Sequence, residues 1–94
     1  MSMTIDISSA MRIQYIERLN NTLVDCIKAM EILDFCFLEK IGHQLKGNVL
    51  SFGFGELTSL AQALESAAIL KDTLQLEIIL KSLNLTVLTI NHQL

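Results

Sequence analysis

Phe37-Leu38-Glu39-Lys40-Ile41-Gly42-His43-Gln44-Leu45-Lys46-Gly47-Asn48-Val49-Leu50-Ser51 reads as one amphipathic helix. Leu38, Ile41, Leu45 and Val49 recur at three- and four-residue steps, the spacing that lines apolar side chains along one stripe. Asp34 stands just ahead as an N-cap carboxylate, and the helix is expected to run to about residue 51. His43 lies off the stripe. Residues three and four apart share a face, so Lys46 and Gly47 stand beside His43, while Leu45 lies about 200° round. One face packs and the other is left to react.

The same periodicity extends in both directions. Ile16, Leu19, Leu23, Cys26 and Met30 mark a first helix from about residue 10 to 31. After Gly53 and Gly55 break the chain, Leu57, Leu60, Leu64 and Ala68 mark a third helix. Asp72 and Thr73 restart it, and Leu76, Leu80, Leu83, Val87 and Ile90 mark a fourth. Proline, repeats, low-complexity segments and linkers are all missing from the sequence. The expected fold is all-α, an antiparallel four-helix bundle forming a single domain over residues 1–94. Leu74, Ile78, Leu85 and Leu88 add apolar residues beyond the stripe of helix four. They are expected to be taken up by a broad contact with helices one and three, with self-association through helix four as the alternative.

Composition narrows the function classes. A net charge of −3 without basic clusters gives no footprint for nucleic acid. The chain is 51% hydrophobic and 18% charged, yet no uninterrupted apolar stretch approaches the roughly 18 residues that span a bilayer. Residues 1–6 lack a basic segment followed by an apolar run, which argues against a secretory signal and makes a cytoplasmic location the expectation. Cys26 and Cys36 are the only cysteines, and Cys26 is read as core filler. A metal site drawn from Cys26, Cys36, His43 and His92 lacks the short ligand spacing of zinc motifs.

The chemistry around His43 is more specific. A neutral imidazole offers a nucleophilic ring nitrogen near pH 7. Phosphorylation would add negative charge, and Lys46, one turn on, supplies a mobile ammonium to neutralise it. Gly47 weakens a helix interior by roughly 0.5–1 kcal/mol relative to Ala, and its missing side chain leaves room for a partner beside His43. Glu39, four residues before His43, either orients the ring or is a solvated charge; Lys40 and Gln44 read as surface. Leu50 and Phe54 are either core or an apolar landing patch for a partner.

The stretch His43-Gln44-Leu45-Lys46-Gly47, Gly53 ten residues after the histidine, and Leu57, Leu60 and Leu64-Glu65 beyond resemble the histidine-phosphotransfer (HPt) family of two-component phosphorelays. That family's pattern runs His-x-Leu-Lys-Gly, a small-residue stretch, Leu-Gly, and a leucine-rich helix ending in Leu-Glu. Asp34 and Ala29 also fall where the pattern places the start of its second helix and an alanine of its first, so the resemblance is specific over residues 29–65. Gly42 stands where the family commonly has Ala, Asn48 where it often has Ser, and Phe52 where Leu precedes the glycine. These departures remove no reacting group and bear on local helix stability and partner choice. The resemblance implies a phosphocarrier in which His43 takes a phosphoryl group from a receiver-domain aspartyl phosphate and passes it to another receiver aspartate. The partners implied are the receiver domains of a hybrid histidine kinase and of a response regulator. It also implies no cofactor on this chain, with Mg²⁺ and most transition-state stabilisation on the receiver, no stand-alone enzyme activity, and a monomer. A helical adaptor or dimerisation module without phosphotransfer is the competing reading, and a metal-dependent enzyme the weakest.

Overall fold

The computed structural model describes residues 9–93; residues 1–6, read above for a signal segment, lie outside them. Among the described residues the chain forms α1 (Ser9–Glu31), α2 (Phe35–Ser51), α3 (Thr58–Ile69) and α4 (Thr73–Gln93), with no strand. A single 3₁₀ turn, Gly55–Leu57, leads into α3. Each helix packs against its neighbours in the cyclic order α1, α2, α3, α4, and α2 and α3 are the most closely packed pair. The antiparallel four-helix bundle expected from the periodicity is the observed architecture.

The helices stop and restart by one repeated device. At the end of α1, Leu33 N–H donates to the Met30 carbonyl at 3.2 Å and Asp34 N–H to the Ala29 carbonyl at 2.8 Å. The same pair of bonds closes α2, from Gly53 to Leu50 and Phe54 to Val49, and α3, from Lys71 to Ala68 and Asp72 to Ala67. This is the Schellman ending, which satisfies the orphan carbonyls of a last turn and requires a left-handed residue. Leu33, Gly53 and Lys71 supply it, at φ of 55°, 84° and 55°. Asp34 and Asp72 follow at once and cap the next helices, accepting from Phe37 N–H and Gln75 N–H at 3.1 Å each. Terminator and starter are thus adjacent residues, and the hairpins are short.

The core confirms Ile16, Leu19, Leu23, Cys26, Leu38, Leu45, Val49, Leu57, Leu64, Ala68, Leu76, Leu80, Leu83, Val87 and Ile90 as buried. Met30, Ile41 and Leu60, also expected there, are partly buried at its edge. Phe54 is fully buried, and it joins Phe52 against Tyr15 of α1. The Tyr15 ring stacks on Phe52 at 4.3 Å and on Phe54 at 5.9 Å between centroids. Arg12 lies over the outer face of Phe54 at 4.7 Å, a cation–π contact. The segment linking α2 to α3 is therefore anchored on the first helix rather than left as a loose loop.

Helix α4 departs from expectation in two ways. Leu74, Ile78, Leu85 and Leu88 are exposed, at 65%, 49%, 65% and 45%, and do not enter a broad contact with α1 and α3. Ile79, not counted in the stripe, is buried instead. Two neighbouring helices cover only about half of a helix circumference, and residues 74, 78, 85 and 88 fall on the remaining half. Secondly, α4 is by length and composition long and apolar enough to cross a membrane. Glu77 and Lys81 interrupt its apolar residues, so it contains no uninterrupted apolar run of that length. Here its stripe from Leu76 to Ile90 closes the bundle core.

Left-handed φ is unfavourable for a residue with a Cβ, so Lys71 stores strain that glycine would relieve. Lys71→Gly is expected to stabilise the fold by about 0.5–1 kcal/mol, part of the relief being offset by the greater freedom of glycine in the unfolded chain. Thermal unfolding should show Tm rising by a few degrees. An unchanged or lower Tm would rule out strain at this turn.

Candidate functional site

The placement of His43 follows from the burial of its own helix. Leu38, Leu45 and Val49 are held in the core, which fixes the rotation of α2 and turns the face bearing His43 outward. The imidazole side chain is 71% exposed. Leu64, Ala61 and Ala68 fix α3 in the same way and bring Glu65 to the seam with α2, where its side chain is only 17% exposed.

Glu65 is the hub of the site. Its Oε2 lies 2.9 Å from His43 Nδ1, and its Oε1 accepts from Lys46 Nζ at 2.8 Å. Each oxygen of one carboxylate thus serves one residue of α2. The Lys46 ammonium, and after it the bond to His43, hold the Glu65 carboxyl below the usual carboxylate range, against the opposing effect of partial burial. An ionised carboxylate only accepts, so Nδ1 carries the proton in the neutral ring and the lone pair sits on Nε2. No group among the described residues bonds Nε2. The arrangement can present one defined nucleophilic nitrogen to an incoming electrophile, with an ammonium at hand and a counter-charge behind the ring.

Other residues sort themselves around this hub. Glu39 is exposed and reaches no partner among the described residues, so orientation of the ring from within α2 is not what the geometry uses. Lys40 and Gln44 are exposed. A Cβ placed on Gly47 would meet nothing within 4 Å, which leaves open space beside the imidazole. The pair Leu50 and Phe54 divides: Phe54 is core, whereas Leu50, on the His43 face, is 66% exposed. His92 is exposed in the last turn of α4, diagonally across the bundle from α2. Burial, with Asp25 nearby, pushes the Cys26 thiol up to about 12, so it stays protonated in the core. Among the described residues no three His, Cys, Asp or Glu side chains gather into a group that would hold a metal ion.

Glu65 stands 22 residues from His43, and reading along the chain found it only as the last residue of the motif, without a role. The signal was its position at the end of Leu64-Glu65. What it touches depends on how two helices pack.

The family model described as Hpt domain matches residues 10–88, which reach from α1 into α4. The chain belongs to the Hpt domain family. Comparison with curated proteins and with solved structures finds no match. Hpt domains have a phosphotransfer role in phosphorelays, acting as carriers rather than true enzymes and working with receiver domains of two-component systems.

The pH dependence of the hub has a definite sign. Because the Glu65 carboxyl is lowered in the folded state, its interactions contribute stability above the unfolded carboxylate range, and that contribution is lost as pH falls through the folded value. Denaturant unfolding of wild type and Glu65→Gln is expected to show wild type more stable near neutral pH, with the gap narrowing as pH falls below the ordinary carboxylate range. A gap that persists undiminished at the acid end would mean that the ionised carboxylate is not its source.

Proposed function

We propose that His43 is the phosphoacceptor of this Hpt domain, and that Nε2 is the attacking atom. The observation that carries the reading is the division of the ring: Nδ1 is tied to an ionised carboxylate while Nε2 faces outward without a partner. The Nε2 lone pair attacks the phosphorus of a receiver aspartyl phosphate. The N–P bond forms as the acyl P–O bond breaks, and the aspartate leaves as carboxylate. As the lone pair enters the new bond, positive charge develops on the ring, and Glu65 is placed to stabilise it through the Nδ1–H bond. Transfer onward is the reverse attack, by a second receiver's aspartate, and returns the neutral imidazole.

Lys46 has a second task in this scheme. In the resting protein its ammonium is bound to Glu65, and its flexible stem lets it turn toward the added phosphoryl charge. Gly47 provides clearance for the receiver, and the exposed Leu50 adds apolar surface on the same face. The receiver supplies the remaining catalytic apparatus, Mg²⁺ included.

Incubation with phosphorylated receiver domains tests the proposal directly. Acid-labile phosphate is expected on wild type and on His92→Ala, none on His43→Ala, and slower transfer on Lys46→Ala with the fold intact. Label that persists on His43→Ala overturns the assignment. A fully folded wild type that takes no label from any active receiver would instead favour a helical adaptor.

Clearance is tested separately. Gly47→Gln replaces a poor helix former by a good one, with no internal atom to collide with, so thermal stability should rise by roughly 0.5–1 kcal/mol. Receiver affinity should fall, since a long side chain now stands beside His43. Binding that is unaffected in the stabilised variant would remove Gly47 from the docking surface.

A further inference from the structure

Helix α4 carries two seams, and the bundle uses one of them. Leu76, Leu80, Leu83, Val87 and Ile90 close the core. Leu74, Ile78, Lys81, Leu85, Leu88 and His92 follow the same alternation of four- and three-residue steps, about 200° round the helix, and all six are exposed. Steps that average 3.5 residues are those of a helix packing knobs into holes against another helix, and a merely solvated face needs no such period. Helix α1 widens the face. Its Ile27 lines the groove beside α4, and Val24 stands one turn before it, each about half exposed. Glu77 and Lys81 line the same groove, and neither has an ion-pair partner among the described residues.

We propose that the outer face of α4 receives a second copy of this chain, the two α4 helices running antiparallel about a twofold axis at the level between Ile78 and Lys81. Charge selects this pairing. Parallel helices in register would set Lys81 against Lys81 across the seam. In the antiparallel arrangement Leu74 faces Leu85 of the second copy and Ile78 faces its Lys81. The lysine stem then covers Ile78, and the ammonium comes within one turn of the second copy's Glu77, an ion pair that the twofold axis repeats. Leu88 falls opposite the turn before the second copy's α4, where Leu70 is exposed. The area agrees. At about 30 Å² per methylene-sized group, Val24, Ile27, Leu70 and the four apolar seam residues of α4 expose on the order of 500 Å² between them. A standard interface takes about 800 Å² from each copy, roughly two-thirds of it apolar in homodimers, so this face supplies the apolar part of one such interface. Because α4 lies diagonally from α2, both His43 faces stay outward in the pair.

The test is the mass of the full chain in solution, by sedimentation from about 1 µM to about 1 mM, the range in which an interface of this size without buried aromatic anchors dissociates. Wild type is expected to pass from monomer to dimer. Leu85→Lys should weaken the dimer by at least about 10-fold with helicity unchanged, because Leu85 is exposed in the single chain. Leu50→Lys, on the His43 face, should dimerise as wild type does. The decisive arm uses charge: Glu77→Lys and Lys81→Glu should each be monomeric alone, and their equimolar mixture should recover the dimer, since only the mixed pair brings opposite charges together. A wild type that stays monomeric throughout overturns the proposal. So does a dimer lost in Leu50→Lys but kept in Leu85→Lys, or a mixture that does not recover. Cosedimentation of monomeric wild type with anionic lipid vesicles, abolished by Leu85→Lys, would assign the face to a membrane surface and equally overturn it. None of these readouts involves phosphate, so the phosphoacceptor reading of His43 stands or falls separately.

Discussion

The close packing of α2 on α3, with their backbones in contact at Gly42 and Glu65, is the constraint on which the hub of the site depends. Two helices with side chains at the crossing are held apart by them, and their axes settle at about 8–10 Å. A glycine at the crossing removes that spacer on one side. Beside that contact the Glu65 carboxylate reaches across the seam to His43 and Lys46. Glycine in a helix interior costs roughly 0.5–1 kcal/mol against alanine, and the close pairing of α2 with α3 is where that cost is offset.

The bundle presents this contact because its turns leave little freedom. Three helices end in the same pair of hydrogen bonds, and in two cases the next residue already caps the following helix. The α2–α3 link has no such cap and is fixed differently, by Phe52 and Phe54 packed on Tyr15. Short or anchored links determine where each helix begins, and thus its register against the next. A slip of one residue in α3 would move Glu65 by about 100° and break both of its bonds.

Seen as chemistry, the site is small. One carboxylate, one ammonium and one imidazole share a chain of two hydrogen bonds, and only the imidazole is largely open to solvent. Such a set is suited to carrying a group between partners that bring their own catalytic apparatus, which is how Hpt domains operate in phosphorelays. The exposed apolar face of α4 lies diagonally from α2, so whatever meets it does not compete for the His43 face.

Much of this was legible along the chain because it is local. A 3.6-residue period located all four helices, Asp34 and Asp72 announced two of their starts, and the spacing of His43, Lys46 and Gly47 placed them together on a face away from the core. Left-handed Leu33 and Lys71 carried no such signal, since neither residue type favours that conformation. Nor did periodicity separate Phe54, which is buried, from Leu50, which is not; both fit an apolar pattern, and the stacking on Tyr15 selects one. The outer face of α4 depended on how many neighbours a helix has. The deciding feature of the site was furthest from view: Glu65 meets His43 across 22 residues of sequence, where the packing of α3 on α2 brings them together. Sequence by itself determined which residues share a face, because that depends on rotation about one helix. Only the tertiary structure decided which nitrogen of His43 is open, because that depends on the gap between two.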